Sequence, residues 1–194
     1  SVQLGGATGC AMLMLARELV RAGRCNNVLV VAGEHRLSGQ ARDSAIQTLA
    51  QVGEADFEVP NGASVPAYYA LLASRYMHET GLSEEDLAEF AVLMRAAASR
   101  HPDAHLRTPV TPKEVLASKT ICAPLKLLDC CPISDGAMAL VVSASPRNGT
   151  RVAITGAGQA HKHQHLTAIA DTRNYGAREA GARALDEARL KVCD

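Results

Sequence analysis

The chain has 194 residues, 47% of them apolar, and twenty basic side chains balance twenty acidic ones. That length suits one large domain or two small ones, and the apolar content supplies a real core and excludes a disordered chain. Even charge, two Phe, four Tyr and no Trp argue against a nucleic-acid surface or an anionic membrane as partner.

In chain order, Val2 to Leu4 reads as a short apolar strand end leading into Gly5-Gly6-Ala7-Thr8-Gly9. From Cys10 to Ala22 apolar residues fall on nearly every helical face, the pattern of a buried helix, and Gly23 supplies its stop. Val28 to Gly33 is a continuous apolar run without alternation, as expected of a strand covered on both faces. Strand, helix and strand in this order predict a right-handed parallel-sheet unit.

Residues 35–62 are polar and loop-like, apart from a short helix predicted around Asp43 to Ala50. Pro66 to Thr80 predicts a helix ended by Gly81. Ser83-Glu84-Glu85-Asp86 is a capping-box signature opening a helix that runs to about Arg100, before His101-Pro102. Thr111-Pro112-Lys113-Glu114 repeats the logic: a Thr cap, Pro at the first helical position, and Glu three residues after the cap. Residues 56–123 therefore read as a mostly helical insertion, and such insertions often carry substrate or oligomer contacts.

Strand character returns at Leu125 to Leu128, Ala137 to Val142 and Arg151 to Thr155, bounded by Ser134-Asp135-Gly136 and Pro146-Arg147-Asn148-Gly149. A last amphipathic helix spans Gly176 to Leu190. Alternating strands and helices give an α/β class.

The glycine-rich turn is the candidate site. Between strand and helix it lets a ligand approach the backbone, with the first helical N–H groups aimed at any charge that develops there. No Gly-Lys-Ser/Thr follows, so it is no Walker loop. Tight packing of helix on strand is the competing structural reading of these glycines.

His161-Lys162-His163-Gln164-His165 alternates histidines without a neighbouring carboxylate or cysteine pair, and reads as an exposed polar loop with no metal. Gly156-Ala157-Gly158 is an incomplete dinucleotide fingerprint, because position 161 is His and no apolar helix follows.

The cysteines are Cys10, Cys25, Cys122, Cys130, Cys131 and Cys193; none forms a C-x-x-C pair, and adjacent Cys130 and Cys131 are awkward disulfide partners. A soluble protein of the reducing cytoplasm is expected, with no apolar run near the ~20 residues of a membrane span. Opening at Ser1 and closing at Asp194 directly after a helix, the sequence reads as an internal segment of a longer chain, inactive and poorly soluble in isolation.

Val2 through Ala11 resembles the nucleophile loop of the thiolase superfamily, where a cysteine is followed by two small residues and a glycine at the start of a buried helix. Aligning that glycine on Gly9 puts Gly6 at the cysteine's place. Val28 to Gly33 with Glu34 resembles the strand that follows. Pro66-Ala67-Tyr68-Tyr69-Ala70 through Tyr76-Met77-His78-Glu79 resembles the loop domain of sterol-carrier-type thiolases. Pro124 through Pro132 with Ser134-Asp135-Gly136-Ala137 resembles the segment entering the last strand of the first half. The match covers almost the whole chain in the right order.

The resemblance implies a thiolase-like layered α/β/α fold, incomplete here, with a helical inserted loop domain. Residues 1–55 would be the later part of the N-terminal half, 56–123 the loop domain, 124–146 the end of that half, and 147–194 the start of the C-terminal half. The family's histidine and second cysteine would fall beyond Asp194. It implies acyl-CoA thioester substrates with no other cofactor, Gly5, Gly6, Ala7, Thr8 and Gly9 as substrate-binding residues, a homodimer, and a small zinc-ribbon and OB-like partner protein.

Glycine at position 6 cannot form an acyl-enzyme, and thiolase-like proteins without the cysteine resemble retro-aldolases acting on 3-hydroxyacyl-CoA, steroid side-chain thioesters included. Two alternatives stay open: acetyl-CoA acetyltransferase chemistry with a nucleophile from elsewhere, Cys10 being the nearby thiol though expected in the helix packing, and a non-catalytic subunit serving assembly or lipid carriage.

Overall fold

Local capping chemistry places the helices where the sequence predicts them. In α4 (Glu84–Ala98) the Ser83 side chain accepts from the Asp86 N–H, and the Asp86 carboxylate accepts in return from the Ser83 N–H at 2.8 Å. The same reciprocal pair opens α5 (Pro112–Ala117), with 2.7 Å from the Thr111 N–H to Glu114 Oε2. These bonds satisfy N–H groups that every helix start leaves without partners. Thr111→Ala is expected to cost about 1 kcal/mol, read as a lower urea midpoint with unchanged slope, because α5 carries the fully buried Val115.

The computed structural model describes every residue except 1, 3, 36, 40, 63, 146–151, 193 and 194. The other elements are α1 (Thr8–Arg21), β1 (Asn27–His35), α2 (Arg42–Ala50), α3 (Val65–Thr80), β2 (Thr120–Cys122), β3 (Leu125–Lys126), β4 (Asp135–Ser143) and α6 (Ala177–Ala188). The architecture is mixed α/β. The predicted turn at Pro146 to Gly149, the strand start at Arg151 and Cys193 lie outside the described residues.

The chain folds as two units. Ser1–Gly39, Ser134–Lys162 and Asn174–Asp194 make the first, which holds α1, β1, β4 and α6. Among the described residues its sheet is antiparallel, where the sequence predicted a parallel unit: strand β1 pairs with β4 in unbroken register, from Asn27 opposite Ser143 to His35 opposite Asp135. The strand end predicted at Val2 to Leu4 includes Gln3, which lies outside the described residues, and Leu4 forms an isolated bridge with Gly6. The Asp135 carboxylate also accepts from the N–H groups of Leu37 and Ser38, pinning the turn after β1.

Within this segment Val30 of β1 and Ala16 of α1 are buried, and Leu29 and Val31 are exposed. The strand expected between 151 and 155 is absent among the described residues 152–155. Instead, Glu187 of α6 accepts from the Ala157 N–H at 2.9 Å and from Arg17 and Arg21 of α1 at 3.0 Å each, so one carboxylate joins three segments.

The second unit, Gln40–Ile133 with His163–Arg173, is mostly helical. Its core is built on Tyr68 and Ala70 of α3, Ala88 of α4 and Val115 of α5. Strands β2 and β3 form a small antiparallel hairpin. Lys126 reaches Glu84 at 2.7 Å.

Candidate functional site

The turn before α1 is held by its own backbone. Gly5 lies in the left-handed region at φ 55°, a conformation that glycine alone adopts without steric cost. The Ala7 and Thr8 N–H groups donate to Leu4 and Gly5 carbonyls at 3.2 and 3.1 Å. The Thr8 hydroxyl donates to the Gly5 carbonyl and accepts from the Leu4 N–H, both at 2.8 Å. Within α1, the first backbone N–H to reach back is that of Ala11, to the Ala7 carbonyl at 3.0 Å. The Gly9 and Cys10 N–H groups are thus the pair a helix start offers to a ligand.

Chain neighbours and the helix's own backbone aside, no atom of the described residues lies within 4 Å of where a Cβ would sit on Gly5, Gly6 or Gly9. Among the described residues, helix-on-strand packing therefore does not account for these glycines. Gly156 and Gly158 are the opposite case. A Cβ there would stand 2.0 Å from the Ala184 carbonyl oxygen and 1.9 Å from that of Ala180. Their absent side chains let the 152–160 segment lie directly on α6, which explains the glycine pair without a dinucleotide.

That segment and α1 enclose a cavity of about 120 Å³, walled by Ala7, Cys10, Ala11 and Met14 on one side and by Gly158 to His161 on the other, with Ala180. Cys10 is exposed in this segment. The cavity wall is mostly apolar, apart from the Gln159 amide and the His161 ring, whose Nε2 atoms share a hydrogen bond of 2.7 Å.

His161 and His165 have separate partners. His161 pairs with Gln159 in the first unit, whereas His165 Nδ1 lies 4.0 Å from Glu58 in the second. Among the described residues no group of three His, Cys, Asp or Glu is placed to hold a metal ion. Lys162 instead bonds Glu179 at 2.8 Å, and chiefly that bond pulls the Glu179 carboxyl down to about 2.

In the second unit, burial and the neighbouring Asp129 and Cys131 push the Cys130 thiol up, away from the thiolate a nucleophile needs.

Sequence reasoning missed Glu58. It sits in the polar stretch read as loop, yet it is 5% exposed and takes backbone N–H bonds from Glu54 at 2.8 Å and Thr167 at 2.7 Å. One bond spans more than a hundred residues, and nothing local marks such a contact. No helix among the described residues is long and apolar enough to cross a membrane.

No family model matches the sequence. Curated relatives do. The chain is 35% identical over 141 residues to an acetyl-CoA acetyltransferase of Methanocaldococcus jannaschii, a match covering 73% of this chain and 35% of that protein. It is 33% identical over 154 residues to a 17-hydroxy-3-oxo-4-pregnene-20-carboxyl-CoA lyase of Mycobacterium tuberculosis, covering 75% and 40%. A chain of the solved Ltp2-ChsH2(DUF35) aldolase superposes with a TM-score of 0.82 at 29% identity, covering 98% of this chain and 51% of that one. The chain thus spans about half of the solved neighbour and 35–40% of these two curated relatives.

Proposed function

The chain belongs to the thiolase-like superfamily, and from that premise we propose that its parent protein cleaves a carbon–carbon bond in 3-hydroxyacyl-CoA thioesters by a retro-aldol step. The observation that carries the reading is Gly6. It stands at the position that resembles the family's nucleophile, and it has no side chain to accept an acyl group. A retro-aldol step needs none. A base removes the proton of the 3-hydroxyl, the bond between C2 and C3 breaks, and C3 leaves as the carbonyl of an aldehyde or ketone. The electron pair moves onto the thioester as an enolate, which is then protonated at C2 to give the shortened acyl-CoA.

The part proposed for this segment is the oxyanion. N–H groups of Gly9 and Cys10 at the start of a helix are donors of the type that stabilises such a charge, and removing one such donor costs enzymes roughly a hundredfold or more. The proton-accepting base is placed outside this segment. A steroid-type side chain is the favoured acyl group, on the name of the lyase relative. A small DUF35-type partner is proposed because the solved aldolase neighbour is named as an assembly of Ltp2 with ChsH2(DUF35).

Acyl transfer is the second reading, favoured by Cys10, which is exposed and lines the cavity beside the turn. Parallel assays separate the two. The parent protein is incubated with a 3-hydroxyacyl-CoA, and separately with a 3-ketoacyl-CoA plus free CoA. Carbonyl release from the hydroxy substrate alone is the expected result. Thiolytic cleavage of the keto substrate alone would replace the proposal with acyl transfer, and turnover of neither would leave a non-catalytic thioester-binding subunit.

A further inference from the structure

The segment His163–Arg173 packs with the helical unit although the residues on either side of it, up to Lys162 and from Asn174, belong to the other unit. Its own structure is slight: a single 3₁₀ turn, Leu166–Ala168, closed by bonds of 3.1 Å from the Ala168 and Ile169 N–H groups. None of its residues is buried, so apolar contact holds it only modestly. What holds it is polar. Glu58 Oε1 accepts from the Thr167 N–H at 2.7 Å, and the Thr172 hydroxyl donates to Glu79 Oε2.

Both receptors are built from the helical unit's side. The other Glu58 oxygen is bound to the Glu54 N–H, and Glu54 in turn accepts from the N–H groups of Asp56 and Phe57. Glu79 is gripped by Arg75 one turn earlier in α3. Each carboxylate therefore has a second partner that lies outside the segment.

We propose that His163–Arg173 is a strap latched onto the helical unit by Glu58 and Glu79, and that it opens as one piece while the helices beneath it stay folded. Around Glu58 the titratable neighbours are His165, 4.0 Å away and without a hydrogen bond on Nδ1, and the buried Tyr68; around Glu79 the charged neighbours are Arg75 and Arg173. Burial pushes the Glu58 carboxyl up, but the Glu54 and Thr167 hydrogen bonds and His165 outweigh it, holding the group below the usual carboxylate range. Bonds from Thr172 and then Arg75 hold Glu79 low as well. Both contributions are present above the ordinary carboxylate pKa and are lost as pH falls through the depressed folded values, so acid opens the strap.

Hydrogen exchange read by mass spectrometry tests this, with Glu58→Gln and Thr172→Val beside the unaltered protein. In Glu58→Gln, peptides covering 163–173 are expected to exchange about tenfold faster, equivalent to ~1.4 kcal/mol, with α3, α4 and α5 unchanged. Thr172→Val removes one half-exposed hydroxyl and is expected to speed exchange across 163–173 by a smaller factor, again with α3, α4 and α5 unchanged. Unchanged strap peptides in either variant, or acceleration shared with α3 and α4, would overturn the latch; if Glu58→Gln fails to fold, Thr172→Val decides on the same criteria.

Discussion

Gly158→Ala is expected to destabilise the protein by about 3 kcal/mol, the upper end of overpacking effects, and to lower Tm by roughly 6–12 °C. The added Cβ would lie 1.9 Å from the Ala180 carbonyl oxygen, 2.9 Å from its carbon and 3.0 Å from the Ala184 nitrogen. All three are helix backbone, which cannot swing aside as a side chain would. Gly156→Ala meets the Ala184 oxygen at 2.0 Å and the Ala188 nitrogen at 2.8 Å and should behave alike. Gly9→Ala is the control. It lies in α1 with open space around it, so the helix propensity of Ala is expected to leave stability unchanged or raise it by about 0.5–1 kcal/mol. Thermal unfolding of the three variants checks the contrast, and equal losses at positions 9 and 158 would refute the packing assignment.

Gly6→Cys is expected to introduce a chemistry the protein lacks. The position is open to 4 Å around a Cβ and its φ is not left-handed, so folding stability should change by less than about 1 kcal/mol. A thiol there precedes the N-cap Ala7 of α1, and a helix start favours the thiolate. The variant should take up an acyl group from a 3-ketoacyl-CoA at position 6 and lose most carbonyl release from the hydroxy substrate. Intact mass with peptide mapping reads the adduct. A folded variant with no adduct on the introduced thiol would mean that this position does not face the thioester.

Local signals carried the helices. Capping boxes at Ser83 and Thr111, the Gly81 stop after α3 and the small-residue face of α6 depend on neighbours three or four positions away, and each lies where the sequence places it. Pairing depends on distant residues, and there the sequence misled. The apolar run of β1 suggested a parallel strand, but its partner among the described residues is the antiparallel β4, a hundred residues on. Of the site, the glycine turn was legible because its composition dictates its geometry. Glycine counts could not separate an open turn at 5, 6 and 9 from a packed contact at 156 and 158, since only the position of α6 distinguishes them. Glu58 was illegible for the same reason: its role is made by Thr167.

The account's central claim, that carbon–carbon cleavage proceeds without an acyl-enzyme, is tested most directly by the intact mass of the unaltered parent protein during turnover of a 3-hydroxyacyl-CoA. The prediction is release of an aldehyde or ketone with the protein mass unchanged throughout. An acyl adduct that forms and decays with turnover, mapped to Cys10 or any other cysteine, would contradict it.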